Sequence, residues 1–410
     1  MSEPVRTLTP QARPGSDLRR RVEKVGDDLA RSFGTLLAMF PGAPLGPQRL
    51  AELLGESVVT TSRLLKALRT HDPVAVVHYM PGPDPLRRLT GGAKRQRIRG
   101  EALTRTEEAI DRFEELIRTE VGDRSALGAI LADWVPELRT EFEVRRRQAV
   151  FKAMSELRGT SCATVLSSMI LHPSRDGKRM DIVAVDGMFG VRRLRPAGEL
   201  RFQTKRIGGS KSPRHPTNLA GEPVEGVGDT RLDQFCVAPA APMRVLHHGD
   251  DLHYVLGESG FGPDSAVDIV QAEVNRDELP LPKDRPPEEH SFVFHTTSVP
   301  TKSLVLDLHF HKSICPEGSP DLIVYDTSVE GPARAHDPVR DFDRMDVTDT
   351  VKELGVRMTQ KRIAEIPTYV DLMQHVLDRL AWKAQDFRTF RVRADFPLFG
   401  SQYTLVLPRE

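Results

Sequence analysis

The sequence predicts an α+β protein of several domains, and three observations support this class. The chain has 410 residues, more than a single hydrophobic core usually organises. Apolar residues recur at helical spacing as far as residue 158, whereas short β-prone runs separated by turns follow from residue 159. Hydrophobic residues make up 39% of the chain and charged residues 28%, a composition that argues against a disordered protein.

The N-terminal part begins with three predicted helices, after a flexible terminus predicted over residues 1–17. The first helix is expected over 18–40, where Val22, Leu29 and similar residues form one apolar stripe that Pro41 ends. The second runs from Pro47 to Leu54, and the next residue, Gly55, supplies the turn conformation that closes a helix.

The third predicted helix has Ser57 as its N-cap and runs to about Arg69. One face is expected to pack on the first two helices, since Thr61, Leu64, Leu65 and Leu68 recur at three- and four-residue steps. The side chains that leave this face are hydroxyl-bearing or basic and can reach phosphates or base edges. These candidate DNA contacts are Thr60, Ser62, Arg63, Lys66 and Arg69.

A β-hairpin is predicted after the third helix. Residues 74–79 are rich in valine and resemble a strand, residues 81–85 contain three prolines and predict a turn, and residues 86–89 form the returning strand. A basic tail placed to touch backbone phosphate follows, with Lys94, Arg95, Arg97 and Arg99.

The segment 50–68, LAELLGESVVTTSRLLKAL, resembles the helix-turn-helix of bacterial winged-helix transcriptional regulators of the MarR and IclR type. Two positions depart from that pattern. Thr61 stands where such proteins bury an aliphatic residue, and Glu56 occupies a turn position that is usually apolar. The resemblance implies a winged helix-turn-helix domain over residues 18–100. It also implies DNA contacts by Thr60, Ser62, Arg63, Lys66, Arg87 and Arg88, the last two from the wing.

The distribution of charge supports a polyanionic partner for this end of the chain. Residues 1–100 hold 17 Lys and Arg against 9 Asp and Glu, a net charge of +8, while the whole chain is neutral. The other 310 residues therefore carry −8. A basic head on an acidic body is typical of a protein that meets nucleic acid at one end.

Residues 101–158 are predicted to be a helical connector. Thr104 and Glu107 form the pattern of a capping box, a helix is expected to about Val121, and further helix over 125–158 is interrupted near Pro136. Regulators of this kind commonly act as symmetric dimers, so these helices are a candidate dimer interface. Alternatively, they pack on the C-terminal domain of the same chain.

Residues 159–410 are predicted to form an α+β domain with a mostly antiparallel sheet. A helix is expected over 369–385, and a long loop over 205–228, whose Lys205, Arg206, Lys211 and Arg214 are further candidates for phosphate contact. The predicted strands are 181–186, 268–274, 291–294, 303–310, 321–325 and 403–407.

A zinc site is one alternative use of this domain. His309 and His311 alternate onto one face of a strand, and Cys315 follows four residues later. Imidazole and thiolate are ligands that zinc accepts, although polar histidines on the exposed face of a sheet give the same pattern. A second group contains His247, His248, His253, Asp250 and Asp251.

Other classes of protein are less consistent with the sequence. No apolar run approaches the roughly 20 residues needed to cross a bilayer, and no signal peptide is evident. Cys162, Cys236 and Cys315 lie far apart, which fits a reducing, cytoplasmic compartment. The P-loop, the dinucleotide-binding fingerprint and the nucleophile elbow are missing, so no catalytic residue is predicted.

The sequence therefore predicts a cytoplasmic transcriptional regulator that binds double-stranded DNA as a homodimer. Its C-terminal domain is expected to dimerise or to bind a small-molecule effector. Two other hypotheses stay open. One is an enzyme, metal-dependent or not, whose catalytic C-terminal domain the N-terminal domain only recruits. The other is a protein–protein adaptor.

Overall fold

A computed structural model describes most of the chain and divides it into two compact units, residues 1–143 and 144–410. The protein is mixed α and β, with helices first and mostly antiparallel sheets after them, as predicted. None of the described helices is both long and apolar enough to cross a membrane. The described residues are 14–196, 200–206, 216–224, 226–249, 251–257, 260–284, 290–315 and 317–408.

The first unit is built from helices around one apolar core. A π-helical turn, Ile117–Val121, continues the sixth helix, and the eighth runs past the boundary between the units. Its core buries Leu29 and Phe33 of the first helix against Leu64 of the third and Val77 of the fourth. The helices are α1 (Pro14–Ala38), α2 (Pro47–Leu54), α3 (Val58–Arg69), α4 (Pro73–Tyr79), α5 (Pro83–Arg95), α6 (Glu101–Leu116), α7 (Arg124–Trp134) and α8 (Pro136–Arg158).

The predicted hairpin over residues 74–89 is wrong, because this segment forms α4 and most of α5. Asp72 caps α4 by accepting a hydrogen bond from the Val74 backbone N–H at 3.0 Å. The valines of α4 are buried in the core, so packing outweighs their preference for strands. Pro83 takes the first position of α5, where a proline has no hydrogen bond to lose. No wing therefore follows α3.

Three smaller predictions also need correction. Thr104 and Glu107 do not form a capping box, since α6 already begins at Glu101 after Gly100. Residues 14–17, predicted to be flexible, belong to α1, and the earlier residues lie outside the described ones. Within the predicted loop 205–228, the first two residues end a strand. Lys211 and Arg214 of that loop, and Asp250, lie outside the described residues.

The described residues of the second unit form three sheets. The strands are β1 (Thr160–Pro173), β2 (Arg179–Arg193), β3 (Leu200–Arg206), β4 (Met243–His248), β5 (Asp251–Leu256), β6 (Val267–Pro280), β7 (Phe292–Thr296), β8 (Thr301–His311), β9 (Asp321–Asp326), β10 (Arg344–Met345), β11 (Val351–Leu354), β12 (Phe387–Asp395) and β13 (Ser401–Val406). The strand orders of the sheets are β11-β12-β8-β1-β2-β6, β10-β9-β13-β7 and β3-β5-β4, and the pairings between these strands are antiparallel except that of β1 with β8.

Helix α9 (Tyr369–Arg379) covers one face of the six-stranded sheet. It buries Leu372 and Val376 against Ile170 of β1 and Val305 of β8, while the neighbours of Val305 on β8 face a second core on the other side. The predicted strands are confirmed in position. The predicted helix over 369–385 is shorter than expected, because Ala381 adopts a left-handed conformation with φ of 57°.

Candidate nucleic-acid interface

Helices α2 and α3 form a helix-turn-helix at the predicted residues. Gly55 has φ of 68°, a left-handed conformation that a glycine adopts without strain, and its N–H donates to the Ala51 carbonyl at 2.9 Å. The Ser57 Oγ atom then caps α3 by accepting a hydrogen bond from the Thr60 N–H at 3.1 Å. The predicted turn glycine and cap serine are both confirmed.

The inner face of α3 is packed at the predicted Thr61 and Leu64, which are buried, while the predicted Leu65 and Leu68 are half-buried against the core. Ala67 is buried as well, and the Thr61 side chain is fully enclosed. Its Oγ1 donates a hydrogen bond to the Pro47 carbonyl of α2 at 2.8 Å. The hydroxyl is therefore satisfied where an aliphatic residue was expected, and it joins the two helices of the motif.

The second departure, Glu56, joins the turn to α5. Its carboxylate accepts a hydrogen bond from Arg88 Nε, and only 7% of the Glu56 side chain is exposed. The Arg88 guanidinium holds the pKa of this carboxyl below its usual value. Arg88 was expected in a wing, but it lies on α5 and binds the turn between α2 and α3 through Glu56.

The outer face of α3 holds the side chains that were predicted to contact DNA. Ser62, Arg63, Lys66 and Arg69 are exposed. Thr60 is half-buried, and its hydroxyl lies 2.9 Å from Ser57 Oγ. The helix therefore has one apolar face held by the core and an opposite face of basic and small polar side chains.

Lys66 has partners within the first unit. Its Nζ lies 3.2 Å from both carboxylate oxygens of Glu141 and 3.8 Å from the centre of the Tyr79 ring. Tyr79 donates its hydroxyl to the same carboxylate at 2.8 Å, and burial raises the pKa of that hydroxyl. The ion pair of Lys66 with Glu141 thus connects α3 to α8.

The basic residues of α5 that were predicted to contact DNA also have internal partners. Arg87 Nη2 binds Asp111 at 2.9 Å and Glu114 at 2.5 Å, contacts that raise the pKa of Arg87. Lys94 Nζ lies 2.6 Å from Glu107. Arg95 Nη2 donates to the Leu54 carbonyl at 2.9 Å, which caps the end of α2. These cations neutralise α6 carboxylates or brace α2, and whether they also reach DNA stays a prediction.

Arg124 of α7 binds the end of α4, a contact that the sequence did not predict. Its Nη2 donates to the carbonyls of Val77 at 2.9 Å and His78 at 2.7 Å, at the end of α4. Burial lowers the pKa of Arg124 to about 10. No sequence signal points to this role, because more than 40 residues separate the guanidinium from these carbonyls.

The predicted zinc ligands of the second unit do not converge. His309 is buried, its Nδ1 lies 2.9 Å from Thr389 Oγ1, and burial lowers its pKa to about 3. His311 Nδ1 instead lies 2.7 Å from Ser313 Oγ, and Arg388 Nη1 lies 3.4 Å from Cys315 Sγ. Across the described ranges, no three histidine, cysteine or acidic side chains could hold a metal ion together.

His309 belongs to a buried polar network beneath α9. Both Asp307 oxygens accept hydrogen bonds from Arg391 at 2.7 Å, and the Tyr369 hydroxyl donates to the same carboxylate. Burial lowers the pKa of the enclosed Lys361 to about 8. The sequence feature that could have indicated this network is Asp307, an acidic residue between the leucines of β8. Asp307 and His309 of β8 lie opposite Arg391 and Thr389 of β12, and Tyr369 connects α9 to Asp307.

Comparison of the chain with models of known protein families and with curated protein sequences found no match. The geometry of the described residues is therefore the basis for assigning a function.

Proposed function

We propose that the protein is a DNA-binding transcriptional regulator and that α3 enters the major groove of double-stranded DNA. The observation that supports the proposal is that α3 has one buried face and one exposed, basic face. Its buried face is fixed by α2 and the core, and its exposed face presents Ser62, Arg63, Lys66 and Arg69. An α-helix fits the width of the major groove, and such side chains bind phosphates and base edges.

The family resemblance supports the proposal over residues 50–68 alone. A winged domain would add a hairpin contact, but the segment after α3 is helical. The expected binding energy therefore comes mostly from α3, with phosphate contacts added by cations nearby. We expect a specific affinity below that of a regulator with an additional hairpin in the minor groove.

The test is to select bound fragments from a random DNA pool with the full-length protein and to measure affinity by fluorescence anisotropy. Arg63→Ala should weaken binding to the selected sequence by about 5- to 150-fold, the range for one base contact. The control is Arg105→Ala, an exposed arginine of α6 that pairs with Glu101. A pool that yields no enriched sequence, or an Arg63→Ala variant that binds like the parent, would contradict the proposal.

The second unit is proposed to dimerise, which lets two copies read a pseudo-palindromic site. Val339 and Phe342 support this proposal, since their exposed fractions are 75% and 94%. They lie three residues apart in the 3-10 helix Pro338–Asp343 and so share a side. Arg340, between them, donates to the Gly331 carbonyl at 2.9 Å and anchors the segment.

Sedimentation of the full-length protein tests this part. We expect a dimer that Phe342→Ser converts to a monomer, whereas Val356→Ser, at a valine with an exposed fraction of 55%, leaves it intact. A monomeric parent would contradict dimerisation without affecting the role of α3. We also propose that the second unit binds a small-molecule effector and that the protein is cytoplasmic.

A further inference from the structure

Two exposed valines begin the helix proposed to enter DNA. Val58 and Val59 of α3 have exposed fractions of 46% and 71%. Five valines on α1 and α4 are buried in the core, with exposed fractions of 8% or less at Val22, Val25, Val74, Val76 and Val77. An exposed β-branched residue gains nothing from the core and lowers helix propensity slightly, so folding alone does not account for the pair.

Val59 lies on the same stripe of α3 as the polar contacts. Ser62, Arg63 and Lys66 follow it at three, four and seven residues, which places these side chains on one side of the helix. Val58 shares a second row with Ser62 and Arg69. The positive charge along this stripe complements DNA. When these cations bind a duplex, the valines on the same side of the helix lie close to the base edges.

The first turn of α3 offers the bases an apolar surface, because its hydroxyls are already bonded to each other. Ser57 Oγ accepts from the Thr60 N–H at 3.1 Å and lies 2.9 Å from the Thr60 hydroxyl. The apolar group that a base pair presents in the major groove is the 5-methyl group of thymine.

We propose that Val58 and Val59 contact thymine 5-methyl groups, so that the preferred DNA site carries thymine opposite the first turn of α3. This inference rests on the proposed function and adds the chemistry of the bases that are read. Removal of one buried methyl group should weaken binding about fourfold, from the transfer free energy of a methylene-sized group.

The experiment uses the full-length protein and the duplex selected from the random pool. Each thymine is replaced in turn by deoxyuridine, which lacks only the methyl group, and the Kd is measured by anisotropy. We expect about fourfold weaker binding at one or two adjacent positions. The Val58→Ala/Val59→Ala variant should bind the thymine and deoxyuridine duplexes equally. The control Val329→Ala, at an exposed valine of the second unit, should keep the difference.

Failure of this inference is distinguishable from failure of the proposed function. If the unaltered protein binds the fully substituted deoxyuridine duplex as tightly as the thymine duplex, the inference is overturned while DNA binding stands. A methyl effect that persists in the double variant also overturns it. A pool without enriched sequences overturns both. The deoxyuridine scan of the unaltered protein needs no variant, so it decides the matter even if the double variant does not fold.

Discussion

Glu56 and Arg88 form an ion pair that ties the turn between α2 and α3 to α5. The glutamate is the almost enclosed partner, and the arginine is 59% exposed. The turn that leads into the proposed recognition helix is therefore held by a charge that lies 32 residues after Glu56 in the chain.

The first prediction concerns this pair. Glu56→Ala should lower the free energy of unfolding by about 1 kcal/mol, and Arg88→Ala should do so by a similar amount, because each leaves a partner unpaired. The double variant should cost less than the sum. Arg88 lowers the pKa of Glu56, so the stabilisation is present above the usual pKa of 4.5 and is lost as the pH falls through the lowered value. Urea unfolding at pH 7 and pH 3 checks this, and additive single effects would disprove the coupling.

Gly92 sets the distance between α2 and α5. A Cβ atom at this position would lie 2.3 Å from the Leu54 carbonyl oxygen, whereas one at Gly91 would meet only Arg95 Nη1, at 3.8 Å. Gly92→Ala should therefore destabilise the first unit by about 1–3 kcal/mol. Gly91→Ala on the same helix should stabilise it by up to about 1 kcal/mol, because alanine favours helix. Thermal unfolding compares them, and equal shifts in Tm would show that the helices do not approach this closely.

Glu141 competes with DNA for Lys66 in the proposed complex. Glu141→Gln removes the anion 3.2 Å from Lys66 Nζ, which frees the ammonium group for a phosphate. We expect severalfold tighter binding and a salt dependence steeper by about one phosphate contact. Glu137→Gln, in the first turn of the same helix, is the control. Anisotropy titrations between 50 and 200 mM salt, roughly the range in which such contacts are resolved, provide the measurement. Unchanged slopes would mean that Lys66 stays away from the duplex.

The pKa of Lys361 predicts how stability depends on pH. Burial lowers this pKa to about 8 from 10.5, so between these values the unfolded chain holds a proton that the folded chain lacks. The free energy of unfolding should therefore rise with pH in this range, by up to about 1.4 kcal/mol per pH unit from this group. In Lys361→Met the contribution is absent, and the slope should be smaller by that amount. Urea unfolding from pH 8 to 10.5 measures both slopes, and identical slopes would contradict the burial of the charge.

The helix-turn-helix was predictable because its signals are local. A glycine that closes α2, a serine that caps α3 and the spacing of Thr61 and Leu64 all act within one or two helical turns. The strands of the second unit were predictable for the same reason, since β8 and β9 each contain a short run rich in Leu, Ile and Val. The zinc hypothesis placed His309 and His311 on one strand, but a strand cannot show that α9 covers the first of them.

The sequence by itself determined where α2 and α3 begin and end and which face of α3 is basic, because capping and periodicity depend on neighbouring residues. The tertiary structure decided that residues 74–79 form a helix, since burial on every side and the Arg124 guanidinium outweigh the strand preference of valine. It also decided which cations are already paired, as Arg87, Lys94 and Lys66 meet carboxylates from distant parts of the chain. Coulomb attraction acts across space, and only the fold brings those charges together.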